Sequence, residues 1–200
     1  ICVQHEQAAA MMADSYSRIG PNYAATLTTS GPGATNLITG IACSFFDSIP
    51  TIHLTGQVNQ SEGKSYTDAK VRQKGFQETN IVDMVKPITK YAVKVTSGKA
   101  LKEELTKAYN IAISGRMGPV LIDVPMDVQQ EEVGDTIDHK EAIVTQIQSV
   151  EKRRILQTLK KFFVGAKRPV VLFGAGIGLS GSEGHFLSWL EKTSTPFVSS

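Results

Sequence analysis

Cysteine is nearly absent: Cys2 and Cys43 are the only two in 200 residues, with no Cys-x-x-Cys pair. A disulfide framework and a zinc motif are thereby excluded, and a reduced, cytoplasmic setting fits. No apolar run approaches the ~18 residues of a membrane span, and no signal peptide opens the chain. An excess of one charge is lacking too. The 21 basic and 19 acidic residues leave a net +2 spread along the sequence, without the clustered Lys and Arg of a nucleic-acid footprint. The densest basic patch, Lys152-Arg153-Arg154 with Lys160-Lys161, fits the wet face of an amphipathic helix. An initiator Met is also missing. The chain opens in the apolar "ICV" and stops in the strand-like "TPFVSS", so it reads as a piece cut within a domain at each end.

What is present alternates between two periods. Ile1 to Val3 reads as a strand end. Glu6 to Ile19 reads as a helix with Ala8, Met12, Tyr16 and Ile19 on one stripe and Gly20 as a left-handed stop. The stretches "YAATLTT", "TIHLTG", "YAVKV" and "GPVLIDVP" are extended, whereas "ATNLITGIACSFFDS", "FQETNIVDMV" and "KALKEELTKAYNIAISG" have helical spacing. This alternation predicts an α/β fold, a parallel sheet flanked by helices. Acidic, patternless sequence over 131–149 reads as a linker between a domain at 1–130 and a second, Rossmann-like α/β domain beginning at 150–200. In that second region "VEKRRILQTLKKFF" is a helix, "RPVVLFGAGIG" a strand with a glycine turn, and "EGHFLSWLEKT" a further helix.

Ligands of open parallel sheets sit outside the carboxyl ends of the strands. "HEQAAA", "SGPGATN" and "TGQV" are expected at such ends. Glu6 follows a strand and opens a helix, where the dipole favours a carboxylate. Gly31 and Gly33 around Pro32 make a side-chain-free turn on which a flat ligand could lie. A tight strand–helix connection is the plainer account of the same turn. His53, mid-strand, reads as a buried, hydrogen-bonded histidine, and His5 as a residue orienting the loop before Glu6.

Four segments, "HEQAAAMMADSYSRIG", "TSGPGATNLITGIACSFFDSIPTIHLTGQV", "GFQETNIVDMVKPITKY" and "SGRMGPVLIDVPMDVQ", together resemble the pyrimidine-binding domain of thiamine-diphosphate-dependent enzymes. The nearest likeness is to the acetohydroxyacid (acetolactate) synthase-like group. "VVLFGAGIG" falls where that family's central domain starts. The resemblance implies that Glu6 hydrogen-bonds N1′ of the cofactor's aminopyrimidine and promotes loss of the thiazolium C2 proton, with a pKa raised by desolvation. It implies that Ser30, Gly31, Pro32, Gly33 and Asn36 border the cofactor, that Ala8 to Ala10 pack round its ring, and that Phe76 and Gln77 line the substrate space over the thiazolium. Gln77 would also contact polar intermediates. In true synthases FAD touches the positions of Arg116, Gly174, Ala175 and Gly176, although many central domains keep that glycine turn without a flavin. Mg²⁺ and the diphosphate are held in the family by a Gly-Asp-Gly…Asn segment, which is not found here. Active sites shared between subunits imply a homodimer or tetramer.

Two departures from the group stand out. The loop "NQSEGKSYTDAKVRQKGFQE" is longer and more basic than usual, with Lys64, Lys70, Arg72 and Lys74 placed to attract an anionic substrate. Met126 stands where those enzymes usually have Lys. Both lie near substrate entry, so thiamine chemistry on a 2-oxo acid such as pyruvate is the expectation. A related lyase or decarboxylase, or a catalytically silent homologue, are the alternatives.

Overall fold

The structure, a computed structural model, describes residues 1–20, 22–63, 72–134 and 149–200. Two compact units divide the chain, Ile1–Thr145 and Gln146–Ser200. The candidate linker at 131–149 falls largely outside the described residues, as do Lys64 and Lys70.

In the first unit the helix α1 (Glu6–Ile19) leads into β1 (Ala25–Thr28), followed by α2 (Pro32–Asn36), α3 (Ile38–Asp47) and β2 (Ile52–Gln57). Then come α4 (Ile81–Val85), β3 (Tyr91–Lys94), α5 (Gly98–Ile113), β4 (Val120–Pro125) and α6 (Met126–Gln129). The four strands are all parallel in the order β1-β2-β4-β3. Helices cover both faces, as the alternating sequence predicts, and every residue of the central β4 is buried. That is why "VLIDVP" is nearly continuous apolar sequence instead of alternating.

The local chemistry explains the elements. His5 caps α1, its Nδ1 accepting from the Gln7 amide at 3.2 Å. Ser97 caps α5 by accepting from the Ala100 amide, and Asn80 caps α4 by accepting from that of Asp83. Pro32 sits at the first turn of α2, where its missing N–H costs nothing.

Three expectations are corrected, and the structure adds which side of α1 is buried. Ile1–Val3 is not a strand; it pairs with no strand among the described residues, and Ile1 is fully exposed. Gly20 is not left-handed, having φ −107° and closing α1 by donating to the Tyr16 carbonyl. "FQETNIVDMV" is helical only from Ile81, because Gln77 takes φ +58° and breaks any helix through it. The stripe of Met12, Tyr16 and Ile19 on α1 is exposed, and the buried face is Ala10, Ala13, Asp14 and Ser17. Close helix packing decides which face is buried. A Cβ on Gly40 of α3 would lie 2.3 Å from the Ala10 Cβ, so only small residues fit between α1 and α3. Asp14 completes the contact, accepting from Ser44 Oγ at 2.8 Å and from Arg18, which also pairs with Asp47.

The second unit contains α7 (Ser149–Gly165), β5 (Val171–Phe173), α8 (Gly176–Leu179), α9 (Glu183–Thr193) and β6 (Phe197–Ser199). β5 and β6 pair in parallel. Edge-to-face and stacked aromatics hold it, with Phe173 against Phe186 at 4.9 Å and Phe163 against Trp189 at 5.3 Å between ring centres. No helix of the described residues is long and apolar enough to cross a membrane.

Candidate functional site

The residues singled out from sequence gather at the carboxyl ends of β1, β2 and β4. α1 presents Glu6 there in its first turn, half-buried. The Asn36 amide donates to Glu6 Oε2 at 3.0 Å across 30 residues of sequence. Its other oxygen faces Gly33: a Cβ at that position would lie 3.3 Å from Glu6 Oε1 and 2.6 Å from Thr29 Cγ2. Glycine at 33 thus lets the turn pack on Thr29 and approach one carboxylate oxygen while Asn36 fixes the other. Gly31 has φ +60°, and a Cβ there would meet the Gln77 carbonyl oxygen at 2.7 Å and its Cβ at 2.8 Å. Gln77 therefore rests directly on the glycine turn. Phe76 beside it is 84% exposed, and Pro32 is exposed between the two glycines. Ser30 is half-buried, its amide 3.6 Å from where a Gly56 Cβ would stand at the end of β2.

The Glu6 carboxyl lies below its ordinary value, chiefly through the Asn36 hydrogen bond, then through its own backbone amide and His5. This corrects the expectation of a raised pKa. In this chain the carboxylate is wet enough for the hydrogen bonds to outweigh desolvation. Ala10 packs against α3 and Ala8 is exposed, so helix packing accounts for Ala10.

Arg116 is not part of this group. It lies between α5 and β4, at the amino ends of the strands, where its Nε donates to Ser48 Oγ at 2.8 Å. Gly174, Ala175 and Gly176 connect β5 to α8 in the second unit. A Cβ on Gly174 would sit 2.8 Å from Ser200 Oγ, while Gly176 has open space. Among the described residues no three His, Cys, Asp or Glu side chains converge to hold a metal.

A set of buried polar residues went unrecognised in the sequence. Asp123 of β4 accepts from Thr55 Oγ1 at 2.7 Å and from Gln57 Nε2 at 3.0 Å. Gln57 Nε2 also donates to the Thr79 carbonyl at 2.7 Å, and its Oε1 accepts from the Val58 amide at 3.0 Å. Desolvation pushes the Asp123 carboxyl up, against the Thr55 and Gln57 hydrogen bonds and the Lys94 charge. The available signal was a carboxylate inside the apolar run "VLIDVP", a residue type rarely buried without partners. Next along the chain, Met126 is about half exposed, and Asp127 accepts from Gln60 Nε2 at 3.1 Å.

A parallel α/β unit with a carboxylate beside a glycine turn at the carboxyl ends of its strands has the arrangement in which open α/β sheets hold ligands. Residues 1–84 match the family described as "Thiamine pyrophosphate enzyme, N-terminal TPP binding domain". Residues 1–84 thus fall in that family, and the whole chain is similar to acetolactate synthase large subunits. It is 36% identical over 208 residues to the acetolactate synthase large subunit of Lactococcus lactis, covering 100% of this chain and 33% of that protein. Identity to the Corynebacterium glutamicum large subunit is 35% over 201 residues, 99% of this chain and 30% of the relative. For the Escherichia coli acetolactate synthase isozyme 3 large subunit it is 36% over 216 residues, 100% and 34%. The chain thus spans about a third of the length of these relatives.

Proposed function

We propose that this chain supplies the pyrimidine-binding side of a thiamine diphosphate site in an acetolactate synthase-like carboligase or decarboxylase acting on a 2-oxo acid such as pyruvate. The observation that carries the reading is the trio of Glu6, Asn36 and Gly33: a carboxylate with one oxygen anchored by Asn36 and the other beside a side-chain-free glycine turn. A carboxylate held this way suits a flat heteroaromatic ring bearing a protonatable nitrogen. When bound, thiamine diphosphate supplies a carbon nucleophile and an electron sink. Glu6 holds and exchanges a proton at N1′, and Asn36 orients its carboxyl and favours its ionised form. Covering the site with cofactor and a second subunit removes water from Glu6 and pushes its pKa up again. Gly31 lets Gln77 approach, so that Phe76 and Gln77 border the substrate space, with Ser30 and Pro32 completing the turn.

The remaining assignments follow the same reading. Met11, Met12, Tyr16 and Ile19 form an exposed apolar stripe on α1 that suits a second subunit, in a homodimer or tetramer of a cytoplasmic enzyme. Mg²⁺ and the diphosphate are assigned to other residues of the whole protein. Arg116 and the Gly174–Ala175–Gly176 turn are the FAD candidates, in a domain division of 1–130, 131–149 and 150–200. Glu6→Gln in the whole protein is expected to slow C2 proton exchange of bound thiamine diphosphate by ~10²–10⁴-fold, the usual cost of losing a positioned proton-transfer group. Cofactor affinity, read by titration, falls far less. Exchange at the wild-type rate would remove Glu6 from the mechanism.

A further inference from the structure

Gln77 is held in a conformation it would not choose. At φ +58° a residue with a Cβ sits in a sparsely populated region, which persists only where the surroundings over-determine it. Its contact with Gly31 is closer than any side chain at 31 would permit. Two supports converge on the segment that carries it. Within the segment, the Glu78 carboxylate accepts from the Lys74 and Gly75 amides at 3.1 Å each, and the Glu78 amide donates to the Gly75 carbonyl at 3.1 Å. A Cβ on Gly75 would touch Val58 at 2.9 Å, so this turn sits on the residue that follows β2.

The second support comes from the sheet. Every polar atom of the Gln57 amide is used: Oε1 takes the Val58 amide, and Nε2 is divided between Thr79 and Asp123. Asp123, 1% exposed, has a donor on each oxygen. An acceptor at 123 compels Gln57 to turn its NH₂ inwards, and that NH₂ reaches the carbonyl two residues after Gln77, which also accepts from the Ile81 amide at 2.9 Å. The chain of contacts runs from the core of β4 to the end of β2, then to the Phe76–Gln77 segment and the Gly31 turn.

We propose that Gln57 and Asp123 are positioning residues that set 2-oxo acid preference by fixing Phe76–Gln77 against the glycine turn. This rests on the function proposed above. A displacement of about 1 Å at a substrate-orienting group costs up to ~10²-fold in turnover. Glu6 and Asn36 are held independently of this network, so cofactor activation is separable from substrate choice.

The test uses the whole protein with Gln57→Glu, which places a second acceptor against both Asp123 and the Thr79 carbonyl, and Gln57→Met, which keeps length but no polar atom. Thr55→Val is the control, removing one donor to Asp123 and leaving the Gln57 link intact. Amide hydrogen exchange over 73–79, C2 proton exchange of bound cofactor, and kcat and KM for pyruvate and for its one-carbon-longer 2-oxo homologue are measured for each. Both Gln57 variants are expected to lose protection over 73–79, to raise KM, and to change the ratio of kcat/KM for the two acids by about tenfold or more. Their C2 exchange stays within about twofold of wild type. Thr55→Val is expected to lower stability without moving the ratio. If Gln57→Glu does not fold, Gln57→Met carries the comparison. An unchanged ratio and unchanged protection in the Gln57 variants, or an equal change of ratio in Thr55→Val, overturns the proposal. A wild-type protein that neither exchanges C2 nor consumes a 2-oxo acid would overturn the function instead, and the 73–79 protection would still report whether the positioning is real.

Discussion

On one face of the first unit's sheet, Val120, Ile122 and Val124 of β4 meet Ile52 and Leu54 of β2, with Ala108 and Ala112 of α5 packed over them. On the other face the same two strands present His53, Thr55 and Gln57, and Leu121 with Asp123, beneath α1, α3 and α4. Both faces are dry, yet only the second carries polar groups, and these form a spine running towards the carboxyl ends where Glu6, Gly31 and Gln77 gather. The amino half of that spine is closed on itself: Thr26 and Thr51 hydroxyls bracket the His53 ring at 2.8 and 2.9 Å. The carboxyl half opens onto a loop through Gln57. Burying polar groups without partners costs on the order of 1–3 kcal/mol each. A spine in which His53, Thr55, Gln57 and Asp123 all find partners therefore marks a face where position is specified as well as packing, whereas the apolar face supplies burial alone.

The largest separation of the two faces is expected from Ile122→Ala. Ile122 has no exposed surface, and its truncation leaves a cavity costing about 2–5 kcal/mol by denaturant unfolding. Cofactor C2 exchange per folded molecule stays at the wild-type level, since nothing on this face reaches the site. A drop in exchange without loss of fold would show that the faces are not separate.

Gly31→Ala sharpens the comparison from the other side. Alanine at φ +60° costs ~1–2 kcal/mol of backbone strain, and its Cβ would displace Gln77. A modest fall in stability is expected alongside a fall in kcat/KM for the 2-oxo acid of ~10-fold or more. If stability falls and kinetics do not, Gln77 is not where substrate is oriented.

Local chemistry made much of this legible in the sequence. The bounds of α1, the strand at "TIHLTG" and the glycine turn are all written within a few residues of themselves. What escaped depends on partners far along the chain. Which face of α1 is buried is decided by Gly40, and the direction of the Glu6 pKa by Asn36. The Gln57–Asp123 bond joins residues 66 apart, and no periodicity announces it. Gln77 escaped for a different reason, since a residue with a Cβ gives no sign that it will be held at positive φ.

The smallest expected effect is in pH dependence and concerns the closed end of the spine. Burial lowers the His53 pKa to about 4, because a charged imidazolium would sit in the core with only hydroxyls as neighbours. The unfolded chain binds this proton near pH 6.5 and the folded chain does not until near pH 4. The unfolded state therefore binds more protons through this window, and stability rises with pH across it. The neutral ring's contribution is complete above about pH 6.5 and is lost as pH falls towards 4, by at most about 3 kcal/mol in total. Between pH 7 and 5.5 only ~1 kcal/mol of it should appear. His53→Gln keeps a neutral polar group between the two threonines and has no proton to gain. Carboxylates titrate in both proteins, so the informative quantity is the difference in denaturant midpoint between wild type and His53→Gln. That difference should narrow or reverse as pH falls from 7 to 5 and stay constant above 7. Parallel curves throughout would mean that His53 takes up its proton within the fold, and that the closed end of the spine is open to water after all.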